Sequence, residues 1–283
     1  MPELPEVEVL ARHLAPLVRG RKIQNVEVRR ARIVSPTTPR DFARKLEGAT
    51  FVQLSRRGKF LLFAMRGRSD GNFLLLGHLG MTGRMYLSPK KNALPKHAAV
   101  VFGLGAENFV FEDTRYFGRL TLDAGAIKGL GPEPLGDEFT IEYFSRALQR
   151  SAQAIKVKLL DQALVAGIGN IYASEALFRA RIAPQMPARR LKPAQIARLW
   201  EAIRETLREA IASGSTVPLN FNGEGKRDGL FYFGQAPGAP EFYEERLRVY
   251  DRAGKPCVHC RGAIKRIIQG ARSTFYCPKC QRR

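Results

Sequence analysis

The stretch "VAGIGNIYASEALF", residues 165–178, sets two glycines directly ahead of a helical pattern, and its reading decides the architecture of the second half of the chain. Gly167 and Gly169 permit a tight turn with close backbone approach. Asn170 reads as an N-cap whose helix offers free N–H groups to an anion. Helical periods surround the turn, in "TIEYFSRALQR" (140–150), in "IKVKLLDQAL" (155–164) and in the run from Pro193 to Ser213. That last run places Ile196, Leu199, Trp200, Ile203, Leu207 and Ile211 on one face and stops at Gly214. A small helical bundle with a phosphate-gripping helix-turn-helix is expected. A Gly-x-Gly before a helix also occurs in plain helical hairpins, so other features must decide between them.

Charge is the first of these. The 283 residues carry 47 Lys and Arg against 26 Asp and Glu, a formal charge of +21, which attracts polyanions and makes nucleic acid the leading partner. A ribosome-associated or merely very soluble basic protein is the plainer alternative. A membrane-surface role fits less well, because the basic residues are spread through folded-looking segments and not gathered on one amphipathic helix. There is no apolar run long enough to span a bilayer and no signal-like leader, so a soluble, cytoplasmic protein is expected.

Cysteine spacing is the second. All four cysteines fall in the last 27 residues, as Cys257-Val-His-Cys260 and Cys277-Pro-Lys-Cys280, with 16 residues between the pairs. Two C-x2-C knuckles at this separation can place four thiolates around one structural zinc; disulfides are the alternative, disfavoured in a reducing compartment. His259 lies inside the first knuckle as a bystander or phosphate contact. Residues 252–283 contain nine Lys or Arg and no acid, too little apolar surface to fold unaided, so zinc must supply the folding energy of a β-hairpin with Arg272 near its turn.

Toward the amino terminus, Val7, Leu10, Ala11, Leu14 and Leu17 keep one helical face from Pro5 until Gly20. From about residue 22 to 125 the pattern becomes strand-length, in "KIQNVEVRR", "FLLFAM", "NFLLLGHL", "AAVVFGL", "NFVFED" and "RLTLDA", with no segment of helical period long enough for a crossover. An antiparallel sandwich or flattened barrel follows. The Gly- and Pro-dense residues 127–139 read as a linker.

Six blocks, "PELPEVE" (2–8), "RRGKFLLF" (56–63), "HLGMTGRM" (78–85), "LGPEPL" (130–135), "VAGIGNIYASEALF" and "STFYCPKCQ" (273–281), occur in an order that resembles the formamidopyrimidine-DNA glycosylase family of bacterial base-excision repair enzymes. The resemblance spans the whole chain. It implies a multi-domain α+β fold: an N-terminal antiparallel β-sandwich with a flanking helix (1–126), the linker (127–139), a helical DNA-binding domain with a helix-two-turn-helix and a lesion-capping loop (140–250), and a zinc-finger β-hairpin (251–283). It further implies a bifunctional glycosylase and abasic-site lyase, working as a monomer, that flips an oxidised purine out of double-stranded DNA, excises it and cleaves the strand by β,δ-elimination. Endonuclease VIII, acting on oxidised pyrimidines, is the near alternative; Leu4 favours the purine branch. A non-catalytic zinc-dependent DNA-binding protein of the same fold is the other.

The resemblance gives the terminus a chemical meaning. Removal of Met1 would expose Pro2 as a secondary amine, and ordinary α-amino groups titrate at roughly 7.7 to 8.0, so a neutral nucleophilic fraction is available to form an iminium with a deoxyribose. Glu3 is the implied proton shuttle and Glu6 its support. Lys59 is implied to contact a phosphate and assist elimination; an exposed strand lysine is the plain alternative. His78, Asn170 and Arg272 are implied phosphate holders, and Lys156 a helical lysine near the damaged base. Glu175 matches a family glutamate close to the lesion, or steadies its helix. An extruded base leaves a gap, which Met81, Arg115 and Phe117 are implied to fill. Tyr116 and Val34 stand where arginines are common, weakening particular phosphate contacts. The segment 215–246 looks longer than its family counterpart, which leaves lesion preference open.

Overall fold

A computed structural model describes residues 2–68, 71–214 and 247–282. The described residues fall into two compact units, the first made of Pro2 with Glu6–Lys128 and the second of Glu3–Pro5 with residues 129–214 and 247–282.

In the first unit, helix α1 (Leu4–Val18) supplies Val7, Leu10, Leu14 and Val18 to the core. Leu17, assigned to that face from the spacing, is 42% exposed and Val18 takes its place. Strands β1 (Asn25–Val28), β2 (Thr50–Arg57), β3 (Phe60–Arg66), β4 (Asn72–His78), β5 (Gly83–Pro89), β6 (Ala98–Gly103), β7 (Glu107–Asp113) and β8 (Arg119–Thr121) form two antiparallel four-stranded sheets, ordered β1-β6-β7-β5 and β2-β3-β4-β8. Four rings tie the core together. Phe51 meets Phe63, Phe102 and Phe109 edge-on at 5.7, 6.5 and 5.9 Å, the arrangement that sets a positive ring edge against a negative face.

Two short helices, α2 (Ala31–Val34) and α3 (Pro39–Leu46), interrupt what the pattern gives as strands alone. The signal for α3 was local: Thr38 accepts the Asp41 N–H at 3.1 Å as N-cap, with Pro39 in the first turn. Strands β2 and β5 were absent from the strand-length stretches. A register shift between Phe51 and Gln53 breaks the alternation of β2, and β5 buries the adjacent Met85 and Tyr86, so its pattern does not alternate either.

The second unit holds α4 (Ile141–Gln149), α5 (Ile155–Leu159), α6 (Asn170–Arg179) and α7 (Pro193–Ala212), followed by the hairpin of β9 (Lys265–Gln269) and β10 (Arg272–Tyr276). Helix α5 stops after five residues and does not run on to 164. On α7, Ile196, Leu199, Ile203 and Leu207 are buried, while Trp200 is half-buried and donates from Nε1 to the Phe139 carbonyl at 2.7 Å. The Gly- and Pro-rich stretch joins this unit from Gly129 onward: Gly131 N donates to Gln162 O at 2.8 Å and Ala166 N to Pro132 O at 3.0 Å. The hairpin is tied back by Gln281, whose Nε2 donates to Ile182 O at 3.0 Å. No helix among the described residues is long and apolar enough to cross a membrane.

Phe109 is fully buried among three other rings, so Phe109→Ala should lower the unfolding free energy by about 3–5 kcal/mol, read as a shifted guanidinium midpoint at unchanged slope.

Candidate functional site

The glycine turn ahead of α6 holds an anion, and the anion is the protein's own. Glu3 is buried; its Oε2 accepts the N–H groups of Gly169 at 2.8 Å and Tyr172 at 3.3 Å, and its Oε1 that of Ile171 at 2.9 Å. These are donors that a helix start leaves without intrahelical partners, met by negative charge at the positive end of the dipole. Leu4 N adds a bond to Gly167 O at 3.0 Å. Only glycine fits here: a Cβ on Gly169 would lie 2.3 Å from the Glu3 carboxyl carbon, and one on Gly167 2.7 Å from the Leu4 side chain.

This corrects the reading of Asn170. The N-cap position is Gly169, Asn170 is the first helical residue, and the first-turn N–H groups are occupied by Glu3. The Asn170 side chain instead links three elements: Oδ1 accepts from Lys156 Nζ on α5, and Nδ2 donates to Ser273 O on β10 at 2.9 Å. Lys156 is fully buried. Burial lowers its pKa to about 8, opposed by the charge of Glu3 and reinforced by that of Arg272. Arg272 is exposed beside the two-residue turn Gly270-Ala271, where both residues take positive φ, as the tight turn of a twisted hairpin requires. Tyr250, which sequence reasoning missed, joins the group through Asn170; burial raises its pKa first, and Glu3 adds to the rise. Glu3, Lys156, Asn170, Tyr250 and Arg272 thus converge within the second unit.

Glu175, also on α6, accepts the backbone N–H groups of Arg248, Val249 and Tyr250 at 2.9, 2.9 and 2.8 Å. Burial raises its pKa, and those three bonds pull the other way. Its visible task is to hold the chain at 248–250. The segment 215–246, expected to cap a flipped base, lies outside the described residues.

The remaining candidates belong to the first unit. Glu6 is fully buried in the first turn of α1. Lys59 lies in the two-residue turn between β2 and β3 and is buried, which rules out an ordinary exposed strand lysine. His78 ends β4; its Nδ1 accepts the Gly80 N–H at 3.1 Å, which leaves the ring proton on Nε2. Burial first and the Lys59 charge second lower its pKa to about 4, so it can meet a phosphate as a neutral N–H donor. Met81 and Phe117 are 42% and 43% exposed, unusual for large apolar side chains, and the Arg115 guanidinium lies 4.8 Å over the Phe117 ring. Tyr116 packs beneath Arg30 at 5.0 Å. Val34 is fully buried in the core.

The four thiol sulfurs lie within 4.8 Å of one another, with Cys260 to Cys277 at 3.4 Å and Cys257 to Cys280 at 3.8 Å. Tetrahedral zinc with Zn–S bonds of about 2.3 Å needs S···S edges of about 3.8 Å, so the donor set fits a single structural zinc. The His259 ring stacks on Phe178 of α6 at 5.2 Å and 17°, a packing role outside the ligand set.

Comparison with known proteins agrees with this geometry. The model of the formamidopyrimidine-DNA glycosylase N-terminal domain matches residues 1–120, that of the H2TH domain of the same enzyme residues 130–220, and that of the zinc finger found in FPG and IleRS residues 254–283. The chain belongs to the formamidopyrimidine-DNA glycosylase family. A formamidopyrimidine-DNA glycosylase from Phenylobacterium zucineum is 42% identical over 304 aligned positions, covering all of both chains. A mutant of the Lactococcus lactis FPG, in complex with a Fapy-dG containing DNA, superposes with a TM-score of 0.87 at 32% identity over the full length of both chains. The wild-type Lactococcus lactis Fpg with an oxidized pyrimidine containing DNA does so equally, at 0.87 and 32% over both full lengths.

Two outcomes follow from this glycosylase-family site. The folded pKa of His78 lies below the ordinary 6.5, so the unfolded chain takes up this proton first as pH falls; the associated stability is whole above about 6.5 and declines as pH falls toward about 4. Imidazole NMR should show His78 neutral, protonated on Nε2, until pH approaches 4. Elemental analysis should find one zinc per chain, and chelation should abolish hydrogen-exchange protection in β9 and β10 while β3 and β7 keep theirs.

Proposed function

We propose that the protein is a bifunctional DNA glycosylase and abasic-site lyase of base-excision repair, acting in the cytoplasm on duplex DNA with an oxidised or ring-opened purine, and that the amine of Pro2 is its nucleophile once Met1 is removed. The observation that carries this reading is the clamp on Glu3. A carboxylate held by three backbone N–H groups fixes the residue one peptide bond from the amine, and a nucleophile needs that restraint to attack at a defined angle.

The neutral Pro2 nitrogen attacks C1′ of the extruded nucleotide as the glycosidic bond breaks and the base leaves with its electron pair and a proton. Protonation of O4′ opens the sugar and leaves an iminium between Pro2 and C1′. Because proline is a secondary amine, this iminium cannot shed a proton to become a neutral imine, so it remains a full electron sink. Loss of a C2′ proton then expels the 3′ phosphate, a second elimination expels the 5′ phosphate, and hydrolysis frees the amine. Glu3 is the proton carrier at O4′ and Glu6 supports the terminus. Lys59 and neutral His78 hold phosphates and Lys59 assists elimination; Asn170 and Arg272 hold phosphates from the α6 and hairpin side. Lys156 faces the damaged base, and its lowered pKa expresses the cost of burying its charge. Met81, Arg115 and Phe117 fill the emptied stack, Arg115 pairing with the orphaned base.

Borohydride added to the protein and a duplex containing 8-oxoguanine opposite cytosine should link DNA covalently to Pro2, identified by mass spectrometry of the terminal peptide. A form retaining one extra N-terminal residue should bind the duplex and give no adduct. Edman degradation returning methionine from fully active protein would overturn the proposal. Binding without adduct across purine and pyrimidine lesions would mark a non-catalytic DNA-binding protein instead.

A further inference from the structure

Asp113, the last residue of β7, is fully buried, and its side chain is the junction of two loops. Its Oδ1 accepts the Thr82 hydroxyl at 2.5 Å and the Arg115 N–H at 3.1 Å, and its Oδ2 accepts the Gly118 N–H at 2.7 Å. Thr82 Oγ1 also accepts from Arg115 N, at 3.3 Å. The loops meet backbone to backbone. Gly80 has φ +63°, and a Cβ there would lie 2.6 Å from the Phe117 carbonyl carbon and the Gly118 nitrogen. Met81 therefore sits between a glycine pressed on the 114–118 loop and a threonine bonded to the carboxylate that pins that same loop.

We infer that Asp113 is the positioning residue of the void-filling trio, holding Met81, Arg115 and Phe117 as one preset wedge before DNA arrives. This rests on the proposed role of those three residues in filling the stack. Ordering exposed side chains and their loops during base extrusion would add an entropic cost to a step that already loses stacking and pairing. A carboxylate with acceptors for all three donors removes much of that cost in advance. An amide cannot replace it. In Asp113→Asn one terminal group becomes a donor, so either Gly118 N–H or the Thr82–Arg115 pair faces another donor.

The test separates wedge from nucleophile by substrate. A single-stranded oligonucleotide with an abasic site has no stack to fill, whereas a duplex with 8-oxoguanine does. Asp113→Asn should slow borohydride trapping on the duplex by roughly 10- to 100-fold, the loss expected for one to two buried charge-assisted hydrogen bonds, and flatten discrimination between opposite cytosine and adenine. Trapping on the single strand should stay within about 2-fold, since no part of the wedge is engaged there. Thr82→Val, a milder change, should shift the duplex rate in the same sense and spare the single strand. An unchanged duplex rate, or a proportional fall on both substrates in both variants, overturns the inference. Parent protein that traps on neither substrate sinks the Pro2 nucleophile itself, a distinguishable result.

Discussion

Everything proposed for this protein depends on one carboxylate meeting the start of one helix. Glu3 satisfies three donors at the beginning of α6, and burial makes the arrangement expensive to break: removing the carboxylate would strand Gly169, Ile171 and Tyr172 N–H groups away from water. The two glycines before α6 exist to admit this approach, since a side chain at Gly169 would occupy the space of the carboxylate. The position of Pro2 along the chain is then set by covalent geometry.

The same device recurs. Glu175 collects three consecutive backbone N–H groups at 248–250, and Asp113 collects two backbone N–H groups and a hydroxyl between the Met81 and Phe117 loops. In a chain with only 26 acidic residues against 47 basic ones, these acids act inside the fold as ties between loops. The basic excess is left to the surface, where attraction to phosphate does not compete with internal pairing. Lys59 and Lys156 are buried exceptions, and Lys156 keeps its place through Asn170 and the field of Glu3.

Much of this was legible beforehand, and the reason differs by element. The zinc site could be read because metal chemistry demands four thiolates at fixed spacing, a constraint carried in 24 contiguous residues from Cys257 to Cys280. Helix α7 could be read because its face repeats over twenty residues. Helix α3 was overlooked although its Thr38 cap and Pro39 were in plain view, because eight residues give too few turns for periodicity to outweigh strand-like neighbours. Strand β2 hid behind a register shift. Lys59, weighed against an exposed strand lysine, proves buried, since a hairpin turn that packs inward has the same letters as one that faces water.

The candidate residues themselves were named by the chain: Pro2, Glu3 and Glu6 in "PELPEVE", four cysteines, and a Gly-x-Gly turn are local chemistry that survives without coordinates. The partners were not. Asn170 had the letters of an N-cap and became a tie between α5, α6 and β10, because Glu3, more than 160 residues away, had taken the donors it was expected to serve. Tyr250 and Asp113 carried no signal at all. Sequence determines which groups are available, since reactivity belongs to residue type and short spacing; tertiary structure decides which group meets which, since a hydrogen-bond donor is satisfied by whatever acceptor folding brings within about 3 Å of it.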